Sequence, residues 1–508
     1  MNEIKIRSAL ISVYSKDGLE PIVQQLNNQG VKIYSTGGTF DFINQLNIPV
    51  TSVESVTEYP EVFGGRVKTL HPKIFGGILH RRSDKNDLLE KEAHQIPAID
   101  LVIVDLYPFE ATVASGANEA AIIEKIDIGG IALIRAAAKN FNDVVIIPSR
   151  QYYIEFLSLL IENKGTSKLV QRKRFAKAAF NISSGYDSAI FNYLNDDGQE
   201  PAFKISVQNQ KAMRYGENPH QKGAFYGDFE NYFEQLSGKD ISYNNLVDIE
   251  ASVQLMSEFQ QEIAFGILKH NNACGFALGN TVKEAYQKSF EADTQSAFGG
   301  VLVTNHEIDE NAANEMNSLF FEILIAPAFT TSALSILRSK KNRILLMQKK
   351  IWDEKNQYKS ILNGVLVQDY DRKTDSIEDF KITTKKRPTL DENLAMVFAS
   401  KLCKHTKSNT IILADKSRMI SSGVGQTSRV DALEQAIAKA GKMGFSLKGA
   451  VMASDAFFPF PDCVEIAHLA GISAVIQPGG SVKDQLSIDF CDEHDMAMVF
   501  TGFRHFKH

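Results

Sequence analysis

The 508-residue chain is 44% hydrophobic and 23% charged, which is ordinary globular composition, and its length predicts two or more domains. A formal net charge of −6 argues against a general nucleic-acid binder, whose phosphate contacts need a basic face. Cys274, Cys403, Cys463 and Cys491 form no C-x-x-C pair and no run of about 18 apolar residues exists, so no disulfide framework, cysteine zinc site or membrane span is expected.

The opening "MNEIKIRSALISVYS" lacks a signal-peptide layout, which predicts a reducing, cytoplasmic protein. Residues 5–14 read as a buried strand. Residues 17–30 read as a helix with Leu19, Ile22, Val23 and Leu26 on one face and Gly30 as its stop. A strand at 31–35, a glycine turn, a helical "FDFINQL", an apolar strand at 99–109, a helix at 129–140 and a strand at 143–148 follow. This alternation predicts a mostly parallel sheet with helices on both faces. A long helical tail over 150–195 leads into the polar "NDDGQEPAF" (195–203), which predicts a boundary between a domain of residues 1–198 and one of residues 199–508. The second part reads as mixed α/β and is long for one core. Its charge-rich stretches, 338–343 and 348–359, read as solvated surface.

Four stretches of the first half carry chemistry. "STGGT" (35–39) joins a strand to a helix, where backbone N–H groups, the hydroxyls of Thr36 and Thr39 and the helix dipole suit one phosphate; a purely structural turn reads equally well. It is not a G-x-x-x-x-G-K-[ST] loop, so an ATPase is not indicated. "GGRVKTLHP" (64–72) brings Arg66, Lys68 and His71 within six residues, with Thr69 among them and Arg66 and Lys68 on one face if the segment is extended, which suits a phosphate or oxyanion, or else a solvated basic loop. "DLYPF" (105–109) puts Tyr107 just past the C-terminal end of a strand, where open α/β sheets bind ligands. "EKIDIGGIALIRAAAKN" (124–140) places Asp127 before a helix and Lys139 at its end, positions that helix-terminus electrostatics also favours.

In the second half, "MRYGENPHQKGAFY" (213–226) holds Arg214, Tyr215, Asn218 and His220 on a loop stiffened by Pro219. Farther along are Asn244 and Asn245, the "SAFGG" turn ending at Gly300, Asn409, Gln426 and Arg429, "SDAFFPFPDCV" (454–464), "QPGGSVKD" (477–484) and Arg504. "ILKHNNACGFA" (267–277) runs from an aliphatic segment straight into Lys269 and His270. A lysine beside a histidine is unfavourable unless chemistry uses the pair; a core histidine beside a surface lysine is the plain alternative.

Together the motifs resemble the bifunctional AICAR transformylase/IMP cyclohydrolase family of purine biosynthesis, from Ser12 to Arg504. "STGGT", "GGRVKTLHPKIFGGIL", "DLYPF" and "IDIGGIALIRAAAKN" match its cyclohydrolase half, and the second-half motifs its transformylase half. The resemblance implies an α/β protein: an N-terminal methylglyoxal-synthase-like parallel-sheet domain and a C-terminal pair of cytidine-deaminase-like α/β units. The zinc signature of deaminases, H-x-E with P-C-x-x-C, is absent, so no metal or redox cofactor is expected. Where the bacterial pattern usually has Pro, this chain has Ala273.

The implied reactions are formyl transfer from the co-substrate 10-formyltetrahydrofolate to AICAR, and dehydrative closure of the product FAICAR to IMP. The AICAR amine is a poor nucleophile and needs a base. Lys269 beside His270 favours a neutral imidazole and can stabilise the tetrahedral oxyanion. By motif match Asn409 is assigned to the formyl oxygen, and Arg214, Tyr215, His220, Asn245, Gly300 and Arg429 to AICAR. Val430, Phe457, Asp462, Ser481, Val482 and Arg504 are assigned to the folate. For ring closure, Lys68 is the oxyanion candidate and Tyr107, Asp127 and Lys139 are proton-transfer candidates. Ser12, Lys16, Thr36, Gly37, Gly38, Thr39, Arg66, Thr69, Asp105 and Gly129 cradle the substrate. The resemblance also implies a homodimer with the formyl-transfer site at its two-fold interface. Two other readings are open. A phosphosugar lyase would use the first half alone and leave 204–508 unexplained. A nucleotide sensor without catalysis is opposed by the intact Lys68, Asp127, Lys139, Lys269 and His270.

Overall fold

The computed structural model describes residues 3–508 as two units, residues 1–207 and 208–508. The division falls just beyond the polar 195–203 stretch.

In the first unit five strands form an all-parallel sheet. Their spatial order is Val50–Ser52, Lys32–Ser35, Ser8–Val13, Leu101–Asp105, Val145–Ile147. Its central strands are continuous apolar runs because both faces are covered: Ala9, Leu10, Ile11, Leu101, Val102 and Ile103 are fully buried. Helix Glu20–Asn28 buries Ile22, Val23 and Leu26, as its spacing predicts, and Gly30 just past it has φ +70°. The expected helical tail is two helices, Tyr153–Glu162 and Leu169–Leu194. Lys164 and Gly165 between them have positive φ, and Thr166–Lys168 pairs with Glu3–Lys5. The chain winds outward in both directions from Ser8–Val13, so the C-terminal ends of Ser8–Val13 and Leu101–Asp105 form the switch point where such sheets leave a crevice.

The second unit holds the same six-stranded motif twice. The first sheet runs Phe233–Ser237, Ile344–Gln348, Ile323–Ala326, Val301–Thr304, Ile263–Lys269, Asn272–Gly279. The second runs Lys381–Ile382, Ala497–Phe500, Ala474–Gln477, Val451–Ser454, Ile411–Ala414, Met419–Gly423. Parallel and antiparallel pairings match position by position, and both hairpins carry a register irregularity in the first strand. One apolar core spans both repeats. At its centre Phe259 packs on Phe276 with ring centroids 4.6 Å apart and on Phe398 at 5.7 Å. The segment 348–359, expected as solvated charged surface, leads into an exposed hairpin, Asn356–Ile361 with Gly364–Asp369, which also displays Leu362, Leu366 and Val367.

Candidate active sites

The crevice of the first unit is a cavity of about 490 Å³. Ser12, Lys16, Thr36, Gly38, Thr39, Arg66, Lys68, Thr69, Asp105, Tyr107, Asp127 and Gly129 all line it. Gly37 adjoins it, since a Cβ there would stand 3.5 Å from the Lys68 Nζ. One end is built for an anion. Helix Gly37–Gln45 begins after Thr36, whose side chain does not cap it, so its first N–H groups lack a side-chain acceptor. The Lys68 ammonium stands there, and the Lys16 ammonium would lie 3.9 Å from a Cβ at Gly38. Burial lowers the Lys16 pKa, with Lys68 acting in the same sense and Asp105 opposing.

The Thr36 hydroxyl donates to Glu54 at 3.1 Å, and the Thr39 hydroxyl donates to the Val13 carbonyl at 3.0 Å. Both bonds fasten the helix start to its surroundings, and the Lys16 ammonium donates to the Val13 and Tyr14 carbonyls at 2.9 Å. Arg66, well exposed, pairs with Glu124 at 3.6 Å, and both Arg66 and Glu124 line the cavity with Lys68. Asp105 accepts from the Ser15 N–H at 3.0 Å and shapes the turn after the first strand.

At the other end Asp127 accepts from the Gly130 N–H at 2.6 Å. A side chain at position 130 would meet the Asp127 carboxylate at 2.7 Å, which is why a glycine opens this helix. Burial raises the Asp127 pKa, against the pull of Gly130 and Tyr107 N–H groups and of Lys68. Burial likewise raises that of Tyr107, helped by Asp127 and Tyr14. A carboxyl that holds its proton more readily and a phenol that keeps its own suit proton transfer. Lys139 is the exception. It lies ten residues past Gly129 at the exposed C-terminal end of the same helix, Gly129–Lys139, a rise of roughly 15 Å, and does not line the cavity.

In the second unit the Lys-His pair sits on the first hairpin, joining Ile263–Lys269 to Asn272–Gly279. His270 and Asn271 have φ of +51° and +67°, the signature of a two-residue type I′ turn, which explains the asparagine. The turn is clamped from helix Tyr243–Met256: the Asn271 N–H donates to Asp248 at 2.7 Å. One helical turn earlier Asn244 donates to the Glu217 carbonyl at 3.2 Å, holding the loop of Arg214, Tyr215 and His220 on the same helix face. Lys269 donates to the Phe298 carbonyl at 2.8 Å. Gly300 lets that loop approach, because a Cβ there would stand 3.0 Å from the Leu268 carbonyl oxygen. Asn272 accepts from the Lys407 N–H at 3.0 Å and so brings the segment of Asn409 to the hairpin.

Two assigned side chains are engaged within the protein. Asn245 is buried, accepts from the Ser242 N–H and donates to Glu322, so its amide caps the helix. Asn409 donates to both the Gln426 and Thr427 carbonyls, which leaves its oxygen free and its N–H groups occupied; it cannot donate to a formyl oxygen in this state.

The folate-assigned residues gather at the second repeat. Phe457, Asp462, Ser481 and Arg504 follow the C-terminal ends of its parallel strands Val451–Ser454, Ala474–Gln477 and Ala497–Phe500. Val482 is fully exposed and Phe457 partly so. Arg429, next to Val430, pairs with buried Asp455 at 3.3 Å, and the guanidinium groups of Arg429 and Arg504 both lie over the Phe506 ring. Of all these residues only Arg504 lines the unit's large cavity of about 1040 Å³.

The sequence profile of the AICARFT/IMPCHase bienzyme matches residues 137–439, and that of the MGS-like domain residues 18–132. The chain belongs to the AICARFT/IMPCHase bienzyme family. It is 58% identical to the bifunctional purine biosynthesis protein PurH of Bacteroides thetaiotaomicron, with all of both chains covered. The PurH of Acetivibrio thermocellus is 44% identical over 99% of this chain and 100% of that one. For Aquifex aeolicus PurH the figures are 43%, 98% and 100%. The motif resemblance therefore names the right family, with the MGS-like profile on the parallel sheet of the first unit. Among the described residues no helix is long and apolar enough to cross a membrane, and no group of three metal-ligating side chains occurs. Motif reading did not single out Asp248, Tyr14 or Lys125, whose contacts with the Asn271 N–H and, for Tyr14 and Lys125, with each other join residues distant in sequence.

Proposed function

We propose that the two units divide the two activities of this purine-biosynthesis enzyme. The second unit transfers a formyl group from 10-formyltetrahydrofolate to AICAR, and the first closes FAICAR to IMP with loss of water. The observation that carries the reading is the first cavity, where an uncapped helix start flanked by Lys16 and Lys68 faces Asp127 and Tyr107 across one space. A ribose phosphate fits the helix start. The carboxamide nitrogen and the formyl carbon already belong to one molecule, so closure needs a fixed rotamer, a stabilised oxyanion and proton transfer. Lys68, near both Gly37 and Asp127, supplies the cation; Asp127 and Tyr107 move the protons.

In the formyl-transfer site His270 takes the proton of the AICAR amine as nitrogen bonds to the formyl carbon, and returns it to N10 as the tetrahedral intermediate breaks its C–N10 bond and releases tetrahydrofolate. Lys269, with donors beyond its bond to Phe298, stabilises the oxyanion. The free Asn409 oxygen orients the amine by accepting its other N–H. Arg214, Tyr215, His220 and Arg429 hold AICAR, and Phe457, Asp462, Ser481 and Arg504 the folate. The reaction calls for no metal. The openness of these groups supports a homodimer in which a second copy completes the site, and a two-fold dimer carries two such sites. Incubation with AICAR and 10-formyltetrahydrofolate should yield IMP; absence of FAICAR and IMP would overturn the reading. Sedimentation across dilution tests the dimer, and a fully active monomer would refute the shared site.

A further inference from the structure

Lining the first cavity beside Tyr107 are two side chains that the sequence motifs did not single out, Tyr14 and Lys125. Tyr14 follows the central strand and Tyr107 follows its neighbour. Their rings meet edge to face with centroids 5.5 Å apart. The Lys125 ammonium lies 5.3 Å from the Tyr14 centroid and 5.4 Å from that of Tyr107. No carboxylate pairs with Lys125 among the described residues, although Glu124 beside it is taken by Arg66. The position is fixed from behind: the Tyr186 hydroxyl donates to the Lys125 carbonyl at 2.6 Å and accepts from the Asp127 N–H at 2.8 Å. Tyr14 is 45% exposed, so it still offers an aromatic surface. All three side chains line the cavity.

We propose that Tyr14 and Lys125, together with Tyr107, form the specificity end of this cavity and hold the planar heteroaromatic ring and carboxamide oxygen of its ligand. The inference rests on reading the cavity as the ring-closure site. Its physical basis is that a flat, electron-rich heterocycle gains from an aromatic face, and a carboxamide oxygen from a cation. A cation held over two rings keeps its place before the ligand arrives, so little side-chain freedom remains to be lost on binding. A ligand gripped by its phosphate at Gly37–Gly38 and by its base at Tyr14–Lys125 is fixed at both ends, leaving only the rotation that closure requires.

The test uses the full-length protein with Tyr14→Ala, Lys125→Gln, Tyr14→Phe and Lys125→Arg, and with Lys68→Ala as a reference. Tyr14→Ala and Lys125→Gln should each weaken IMP binding and raise the FAICAR KM by roughly tenfold, the scale of one such contact. Ribose 5-phosphate, a probe for the other end, should bind them as it binds wild type. Tyr14→Phe and Lys125→Arg, which keep the face and the cation, should stay within about twofold on the same scale. Thermal melting checks folding, and a variant that fails it is replaced by Tyr14→Leu or Lys125→Met, which still remove the aromatic face or the cation and are read by the same ligand titration. The proposal is overturned if Tyr14→Ala and Lys125→Gln bind IMP like wild type while Lys68→Ala is inactive in ring closure. If Lys68→Ala closes the ring normally, the reading of the cavity itself is at fault.

Discussion

In the first unit one crevice of about 490 Å³ takes every assigned side chain except Lys139. In the second unit the assigned groups lie on a hairpin turn, a loop held against one helix, and the strand ends of another sheet, and only Arg504 reaches its large cavity. The proposed division of the two reactions accounts for the difference. Ring closure acts within one small molecule, so a preorganised pocket on one sheet suffices. Formyl transfer must align two large substrates, which calls for an extended surface assembled from separate elements. A site assembled in that way depends on the contacts that hold its pieces, and variants should expose that dependence.

The sharpest way to break the comparison is His270→Ala. It should reduce formyl transfer on the order of a hundred- to ten-thousandfold and leave closure of supplied FAICAR unchanged. Lys68→Ala or Asp127→Asn should do the reverse, with losses on the order of a hundredfold or more in closure alone. Separate assays of each half-reaction check this, and equal slowing of both by a folded His270→Ala protein would mean that the sites are not distinct.

The next test concerns the pieces of the second site. Asp248→Ala removes the acceptor of the Asn271 N–H that sets the His270 turn, and should lower formyl-transfer kcat by roughly tenfold or more, the cost of one lost hydrogen bond to a charged group. Asp248→Asn keeps an acceptor and should recover most of the loss. A fall in stability with kcat unchanged would assign Asp248 a structural role only.

Stability against pH should also separate the units. Burial lowers the His405 pKa to about 4, below its unfolded value, so His405 contributes stability that is lost as pH falls from 6.5 toward 4. Burial alone would raise the Glu258 pKa, but His405 and Lys404 hold it at about 2, so its contribution is lost as pH falls below 4.5. At the alkaline side burial disfavours the His505 cation, yet Asp371 and Asp375 raise its pKa to about 9. That contribution is full below pH 6.5 and disappears as pH rises through 9. Melting of the second unit should therefore weaken at both ends. His505→Gln should flatten only the alkaline limb, and an unchanged alkaline limb would remove His505 from this account.

The smallest effect is expected at Gly300. Gly300→Ala forces a Cβ against the Leu268 carbonyl and should cost about 1–3 kcal/mol by overpacking, with formyl transfer falling more than ring closure. Urea melts and the two assays read it.

The sequence by itself determined the parallel sheet of the first unit, because apolar runs such as 101–104 and the 3.6-residue pattern of Ile22, Val23 and Leu26 are local signals of burial. It also determined the family, because motif order along the chain survives without knowledge of contacts. Lys139 was assigned with Asp127 from the motif alone, and the cavity lining does not include it. Only the tertiary structure decided which polar atoms are already occupied: the threonine hydroxyls on Glu54 and Val13, the Asn245 amide in a cap, both Asn409 N–H groups on carbonyls. It gave the pair of units implied by the resemblance its shared strand order, and it alone revealed the meetings of Asp248 with Asn271 and of Tyr14 with Lys125. The physical reason is that a hydrogen-bonding group has a fixed number of partners, and which distant residue takes them is set by packing, to which local patterns are blind.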